Sequence, residues 1–321
     1  MSNEKNLKFE FFSPLECVQA DDMHAFKVPV TDVNGKKRKA ILIAFIDDAT
    51  RRIVYANFSF TERSYEFEKG IKHILKSHGR IGRLYTDNGA TFVSGQTQRI
   101  LDILGITIIH SRPFKPAGRG KIESVNKTIK HEFQDEASMA DFHTIEELNS
   151  AFWAWSEVVY NKRVHSATGE TPNDRFLKGL PKDHKRITDL ESFNRMFLWR
   201  ENRTVSKYGR IKLYSNQYPI EKAPHGKVVQ VRFDPFNLDE VYIYDSDNHY
   251  LETTSCSKKV TTTAPNIPEE SKASPKKVSK NSKAFFTRLR EKHLKELKKT
   301  NQIPFSKLFK KEEQNNEKHS T

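Results

Sequence analysis

The chain has 321 residues, of which 36% are hydrophobic and 30% charged, and it carries a formal net charge of +14. This length predicts two domains or one domain with appendages, and the basic balance favours a polyanionic partner such as nucleic acid. Cys17 and Cys256 form neither a zinc pattern nor a disulfide framework, which fits a reducing, cytosolic setting, and no stretch approaches the apolar length of a membrane span.

Three strands are predicted between Cys17 and about Phe60. The run ECVQADDMHAFKVPV ends at Asp32-Val33-Asn34-Gly35, and Asn-Gly between strand-like runs is a strong hairpin signal. The run Ala40 to Ile46 is apolar without alternation, which indicates burial on both faces. A third run, RIVYANFSF, follows the short turn Asp47 to Arg51, so the three strands suggest an antiparallel meander.

Helices and strands alternate from Ser64 onward. The predicted elements are helix Ser64–His78, strand Leu84–Thr86, helix Ser94–Leu104 ended by Gly105, strand Ile106–Ile109, a helix within Gly118–Phe133, helix Thr144–Asn161 with Thr144 and Glu147 at capping-box spacing, and a short helix at Thr171-Pro172. The order β-β-β-α-β-α-β-α-α predicts an α/β fold in which helices flank a mixed sheet.

The sequence pattern is again typical of β-strands after about residue 195. The runs RIKLYSNQYPI, KVVQVRFDPF, EVYIYD and HYLET predict short strands of a small β-barrel. From Ser257 onward the chain holds seventeen Lys and Arg against seven Asp and Glu. We predict that this basic tail is largely disordered apart from a helix over Ala284 to Lys299.

Three acidic residues lie where a mixed sheet can bring them together. Asp21 lies in the first strand, Asp87 ends the strand Leu84 to Thr86, and Glu123 follows the loop Pro116 to Gly120. Clustered carboxylates raise one another's pKa unless a cation compensates them, and hard oxygen ligands bind Mg²⁺ or Mn²⁺. Each carboxylate alone is ordinary for a strand end or a polar helix face, so the inference rests on the three together.

Several segments around these acids resemble a known family. QAD at Gln19 to Asp21, LYTDNGATF at Leu84 to Phe92 and HSRPFKPAGRGKIES at His110 to Ser124 are similar to the catalytic core of DDE integrases and transposases, in the retroviral-integrase-like branch. Thirty-five residues separate Asp87 from Glu123, as in that branch. The run GKVVQVRFDPFNLDEVYIY is similar to the small β-barrel that follows the core in bacteriophage Mu-type transposases.

The resemblance implies an RNase H-like catalytic core, with a mixed five-stranded sheet flanked by helices, followed by a small β-barrel and the basic tail. The implied domains are a lead-in at 1–14, the core at 15–180, a linker at 181–199, a DNA-binding barrel at 200–256 and the tail at 257–321.

The resemblance also implies that Asp21, Asp87 and Glu123 bind two Mg²⁺ or Mn²⁺ ions. Asp22 is a rival of Asp21, but neighbouring strand residues face opposite sides, so only one of the two serves, and QAD favours Asp21. Asp47 and Asp48 are further rivals, which we interpret as turn and structural residues.

Basic residues near Glu123 are candidates for DNA contact. Lys127 and Lys130 follow Glu123 on one helix face and resemble the integrase lysines beside the catalytic Glu, although two ordinary surface lysines are an almost equal alternative. A second group crowds the loop before that helix and is favoured only as a group: Arg112, Lys115, Arg119 and Lys121. His110 is interpreted as a packing residue, and Trp153 and Trp155 as core and interface residues.

The function that the resemblance implies is metal-dependent 3′-end cleavage and strand transfer of a mobile element into target DNA. The expected partners are the element ends and target DNA, other copies of the chain assembled on DNA, and, through the tail, an ATPase regulator or an end-recognition subunit. The implied setting is the bacterial cytoplasm, on DNA. Alternatives are a non-catalytic DNA-binding relative and a simple RNase H-like nuclease. Relatives usually carry helix-turn-helix modules before the core, whereas only about 15 residues precede the first strand here.

Overall fold

The computed structural model describes residues 10–31, 35–61, 64–87, 94–111, 120–140, 142–264 and 280–299. The chain divides into two compact units, Met1–Arg186 with Glu270–Thr321, and Ile187–Glu269. Every helix in the described ranges is too short or too polar to cross a bilayer.

The first unit is built on a mixed five-stranded sheet with the strand order β3-β2-β1-β4-β5. The strands are β1 (Cys17–Thr31), β2 (Lys37–Asp47), β3 (Ile53–Ser59), β4 (Arg83–Thr86) and β5 (Thr107–His110). β1, β2 and β3 pair antiparallel, whereas β4 runs parallel to both β1 and β5. This confirms the predicted meander and the predicted mixed five-stranded sheet. Residues 32–34 of the predicted hairpin lie outside the described residues.

Helices flank this sheet, and the end signals predicted at Gly105, Thr144 and Thr171-Pro172 each lie at an observed helix end. They are α1 (Ser64–His78), α2 (Gly95–Leu104), α3 (Gly120–Thr128), α4 (Asp135–Ala140), α5 (Ile145–Val158) and α6 (Pro172–Gly179). Ser94 and Thr144 accept hydrogen bonds from the backbone N–H groups of Thr97 and Glu147. Gly105 ends α2 with a φ of 64°, a left-handed conformation that glycine adopts without strain.

One predicted helix departs from regular α geometry. The sequence indicated a helix running through Phe133, but α3 ends at Thr128 and a π-helical segment, Ile129–Gln134, joins it to α4. Phe133 in this segment is fully buried in the core. Its neighbour Glu132 forms an ion pair with Arg163, whose Nη1 lies 2.8 Å from each carboxylate oxygen of Glu132. Packing on both sides of the segment therefore compensates the less regular hydrogen bonding.

The second unit contains a four-stranded sheet in the order β11-β10-β9-β6 and a two-stranded sheet of β7 and β8. Its elements are α7 (Leu190–Met196), β6 (Trp199–Thr204), β7 (Arg210–Leu213), β8 (Asn216–Pro219), β9 (Val228–Asp234), β10 (Asn237–Tyr244) and β11 (Tyr250–Ser255). The polar strand β6, WRENRT, was not predicted because it lacks an apolar run. Val260 and Ala264 were predicted to belong to the tail, but both contact this unit. The backbone N–H of Val260 donates to Oδ1 of Asn216, and Ala264 is buried in the core of the unit.

The last described helix, α8 (Lys280–Lys299), belongs to the first unit and packs against α5 and α4. It confirms the helix predicted from Ala284. Phe286 and Leu289 are buried in the core, and the Phe286 ring centroid lies 5.6 Å from that of Phe133. Its buried apolar residues therefore contact the chain itself and are not free for a partner. Residues 265–279 and 300–321 of the tail lie outside the described residues.

Candidate active site

Asp21 lies on β1, and Asp87 directly follows β4, the strand that pairs parallel with β1. The last pair of this ladder is Gln19 with Tyr85, and each acidic residue comes two positions later in the chain. Continuing the ladder past its last pair brings Asp87, one residue beyond the end of β4, opposite Asp21. Asp21 is 7% exposed and Asp87 half-buried at the end of its strand.

A hydrogen bond connects α3, the helix that carries Glu123, to Asp21. Nδ2 of Asn126 donates to Oδ2 of Asp21 over 2.9 Å. Asn126 follows Glu123 by three positions, so both side chains lie on neighbouring positions of one helix face. Ile122 and Val125 are buried beneath the helix and fix it on the sheet. α3 therefore holds Glu123, which is half-buried, above the part of the sheet that contains Asp21.

Sequence reasoning missed Asn126. Its Oδ1 atom is buried and has no hydrogen-bond partner in the described part of the chain, although Nδ2 is bonded to Asp21. An unpaired buried oxygen beside carboxylates is a further oxygen donor at this position. The signal was present as an amide one helical turn after Glu123, but nothing in the sequence alone directs it towards Asp21.

Backbone contacts fix the end of β4. Nδ1 of His110 lies 3.0 Å from the carbonyl oxygen of Asp87 and 3.3 Å from Oγ1 of Thr86. Oγ1 of Thr86 also donates to the Asp87 carbonyl over 3.0 Å. His110 thus contacts the main chain of Asp87, in keeping with the packing role predicted for it.

The rival acidic residues lie in different surroundings. Asp22 is the next residue after Asp21, so its side chain points to the opposite face of the sheet, where it is half-buried. Asp47 and Asp48 are fully buried and accept hydrogen bonds that shape the turn after β2. These bonds come from the backbone N–H of Leu15 (2.6 Å) and Thr50 (2.9 Å) to Asp47, and from Nε2 of Gln19 (2.6 Å) to Asp48. Burial raises the pKa of Asp47 to about 6.

The predicted DNA-contacting residues fall into three groups. Lys127 and Lys130 are exposed, Lys127 in the last turn of α3 and Lys130 in the π-helical segment. Lys121 is instead largely buried, and its Nζ lies 2.5 Å from Oδ2 of Asp48, which gives it a structural ion pair. Arg112, Lys115 and Arg119 lie outside the described residues.

Within the described residues, ligand atoms of three candidate metal-binding side chains come within 4.8 Å of one another at Asp245, Asp247 and His249. This group lies in the β10–β11 hairpin, where Oδ1 of Asp245 accepts hydrogen bonds from the backbone N–H of Asp247 (2.9 Å) and His249 (2.8 Å). The turn itself therefore explains the cluster. Asp21, Asp87 and Glu123 are not gathered this closely, so their grouping rests on sheet register and on α3.

Three family models match the chain in succession. The integrase core domain matches residues 23–116, a second integrase core domain model matches residues 104–172, and the model of the Mu transposase C-terminal domain matches residues 194–253. Matches to integrase core domain models thus cover residues 23–172, and the match to the Mu transposase C-terminal domain covers residues 194–253.

A curated relative with a related sequence is the transposase for transposon Tn552 from Staphylococcus aureus. It is 26% identical over 184 residues, which cover 51% of this chain and 36% of the relative. The match thus spans little more than a third of the relative's length.

The chain also resembles solved retroviral integrase structures. The HTLV-2 integrase catalytic core domain in complex with magnesium is 18% identical, covering 52% of this chain and 99% of that one, with a TM-score of 0.41. The catalytic core domain of BIV integrase is 20% identical, covering 51% and 94%, with a TM-score of 0.38. A simian T-cell lymphotropic virus intasome chain is 17% identical, covering 80% and 82%, with a TM-score of 0.45. The sheet order and the family matches carry the fold assignment.

Proposed function

We propose that this chain is the catalytic part of a DNA transposase that performs 3′-end cleavage and strand transfer. The observation that carries the proposal is the parallel pairing of β1, which contains Asp21, with β4, which Asp87 directly follows, together with the hydrogen bond to Asp21 from Asn126 on the helix of Glu123. The matches to integrase core and Mu transposase domains, and the Tn552 relative, support the same chemistry.

The donor set of the proposed site suits divalent metal ions. Asp21, Asp87 and Glu123 would supply hard carboxylate oxygens, as Mg²⁺ and Mn²⁺ require, and the unpaired Oδ1 of Asn126 adds a neutral oxygen nearby. Two bound ions would supply activation of a water or 3′-hydroxyl nucleophile and stabilisation of the leaving oxygen in a phosphoryl transfer. Burial keeps Asp21 in one orientation, and Asn126 restrains its carboxylate.

The exposed lysines beside this site have a matching role in the proposal. Lys127 and Lys130 follow Glu123 on the same continuous helical segment and are open to solvent. Two ammonium groups there neutralise DNA phosphates and hold the strand end against the carboxylates. Lys121 is excluded from this role because it pairs with the buried Asp48.

Strand transfer of an element joins two DNA ends to one target, so the active form is proposed to be a multimer assembled on DNA. Recognition of the element ends by a further segment or a separate chain is part of the same proposal.

The test uses labelled linear duplex DNA with a free 3′-hydroxyl, a supercoiled plasmid target, and Mg²⁺ or Mn²⁺. Joined products support a transposase, cleavage without joining indicates a nuclease, and binding alone indicates a non-catalytic relative. In the Asp87→Asn and Glu123→Gln variants the rate of strand joining should fall further than in a variant of a residue that only supports a metal ligand, for which a loss of about 10- to 100-fold is expected. Joining at the original rate by either variant would disprove the assignment of the site.

A further inference from the structure

Asp87 lies one residue beyond the end of the strand that leads to it. β4 ends at Thr86, and the last pair of its ladder with β5 is Thr86 with His110. The backbone N–H of Ser111 donates to the carbonyl oxygen of Thr86 over 2.9 Å, which fixes the main chain immediately before Asp87. The main chain after the Cα atom of Asp87 needs other contacts to be held in place.

Two side chains converge on the carbonyl oxygen of Asp87. Nδ1 of His110 lies 3.0 Å from this oxygen, and Oγ1 of Thr86 donates to it over 3.0 Å. A carbonyl oxygen has two lone pairs, so it can accept both hydrogen bonds. Thr86 is 1% exposed, which closes its hydroxyl to competing water, and His110 is half-buried. The carbonyl group of Asp87 is therefore held from two sides.

The donors and acceptors around His110 determine which ring nitrogen carries a proton. A carbonyl oxygen only accepts, so Nδ1 of His110 can bond to the Asp87 carbonyl only when Nδ1 is protonated. Nδ1 also lies 3.3 Å from Oγ1 of Thr86, whose single proton goes to the same carbonyl and whose lone pairs still accept. These surroundings require a proton on Nδ1, which makes the His110 ring a hydrogen-bond donor as well as a packing group.

We propose that His110 is a positioning residue, which holds Asp87 in the orientation that binds a divalent metal ion. This inference rests on the proposed function, because it needs Asp87 to be a metal ligand. The ladder fixes the main chain before Asp87, and the hydrogen bonds from His110 and Thr86 fix it afterwards, so the direction of the Cα–Cβ bond is set from both sides. A ligand that loses such support binds its metal more weakly, since the carboxylate no longer keeps one orientation.

The test uses two substitutions that separate hydrogen bonding from packing. His110→Asn keeps an N–H donor near the position of Nδ1 and removes most of the ring, whereas His110→Phe keeps a ring and removes the donor. Calorimetry of the full chain measures binding of Mn²⁺ alone, with the binding that remains in Asp87→Asn subtracted, and strand joining is measured across a Mn²⁺ series. His110→Phe should need at least about tenfold more Mn²⁺ in both measurements, and His110→Asn should stay within about threefold of the original chain.

The second donor provides a matched pair of variants on the same ladder. Thr86→Val removes the hydroxyl that donates to the Asp87 carbonyl, so it should also raise the Mn²⁺ requirement. Thr107→Val removes an exposed hydroxyl from the other end of β5 and should leave the requirement unchanged.

A role in packing alone predicts the reverse order, with Mn²⁺ binding retained in His110→Phe and weakened in His110→Asn, and that result would overturn the proposal. Equal Mn²⁺ requirements in the two variants would overturn it as well, while leaving the proposed function intact. If Asp87→Asn binds Mn²⁺ and joins DNA like the original chain, the proposed function fails together with this inference.

Nitrogen NMR of the histidine rings gives a measurement that does not depend on the folding of His110→Phe. The His110 signals, assigned by their loss in His110→Asn, should show a proton on Nδ1 in the original chain. A ring with its proton on Nε2 alone would overturn the proposal, because Nδ1 could not then donate to Asp87.

Discussion

The side-chain amide of Asn126 donates a 2.9 Å hydrogen bond to Oδ2 of Asp21, which links α3 to the middle of β1. This bond connects two of the elements that the proposed site requires, and it restrains a carboxylate that would otherwise rotate. We therefore expect Asn126→Ala to slow strand joining about 10- to 100-fold, with a higher Mn²⁺ concentration needed for the half-maximal rate.

The control for this variant is Ser124→Ala, an exposed position on the same helix. It should join DNA at the original rate. If Asn126→Ala shows an unchanged metal requirement and an unchanged rate, Asn126 has no positioning role.

The alternation of β1 predicts opposite outcomes for two neighbouring carboxylates. Asp21→Asn should abolish joining, since it removes a proposed ligand on the face towards α3. Asp22→Asn removes the same charge from the opposite face of the sheet, and its rate of strand joining should stay within about threefold of the original rate. Joining assays with both variants at equal protein concentration decide this, and the reverse pattern would assign the ligand to Asp22.

Lys121 should matter for stability through its ion pair with Asp48. The Asp48 carboxylate is fully buried, with Nζ of Lys121 2.5 Å from Oδ2. Removing one partner of such a pair leaves an uncompensated buried charge, so Lys121→Ala should lower the free energy of unfolding by about 3–5 kcal/mol. Urea denaturation measures the loss.

The double variant Lys121→Met with Asp48→Asn should recover most of that stability, because neither charge then remains buried alone. A small effect of Lys121→Ala on stability, together with a large effect on DNA affinity, would return Lys121 to the DNA-contacting group.

The contact of α8 with the core predicts different effects for two adjacent phenylalanines. Phe286 is 5% exposed and Phe285 is 40% exposed. Phe286→Ala should cost about 3–5 kcal/mol of stability or release α8 to early proteolysis, whereas Phe285→Ala should cost under about 1 kcal/mol. Denaturation and limited proteolysis of both variants test this, and equal effects would contradict the described packing of α8.

Buried histidines predict a loss of stability in mild acid. Burial lowers the pKa of His73 to about 3, so the unfolded chain, with a His pKa of about 6.5, binds the proton first as the pH falls. His73 therefore contributes stability above about pH 6.5 that declines by about 1.4 kcal/mol per unit between that pH and the folded pKa.

The measurement compares the original chain with His73→Gln between pH 7 and pH 5. Asp47 acts in the opposite direction, because its raised pKa makes the folded state bind a proton first, but its contribution cancels in the difference between the two chains. The variant should show the shallower acid dependence, and identical slopes would refute the assignment to His73.

Local patterns in the sequence determined most elements of the fold. Hydrophobic periodicity identified α1 with its observed ends, and the capping residues Gly105 and Thr144 marked helix boundaries, because each acts on backbone groups within four residues. The polar strand β6 and the π-helical segment were missed, since their conformations depend on cross-strand pairing and on packing of Phe133.

The candidate site divides in the same way. The sequence by itself determined which acidic residues are candidates, through their spacing and their resemblance to integrase segments. Only the tertiary structure decided that the strand of Asp21 pairs with β4, which ends just before Asp87, that Asn126 contacts Asp21, that Lys121 is held by Asp48, and that α8 returns to the first unit. These relationships join residues far apart in the chain, and they form only when the sheet and helices bury their common core.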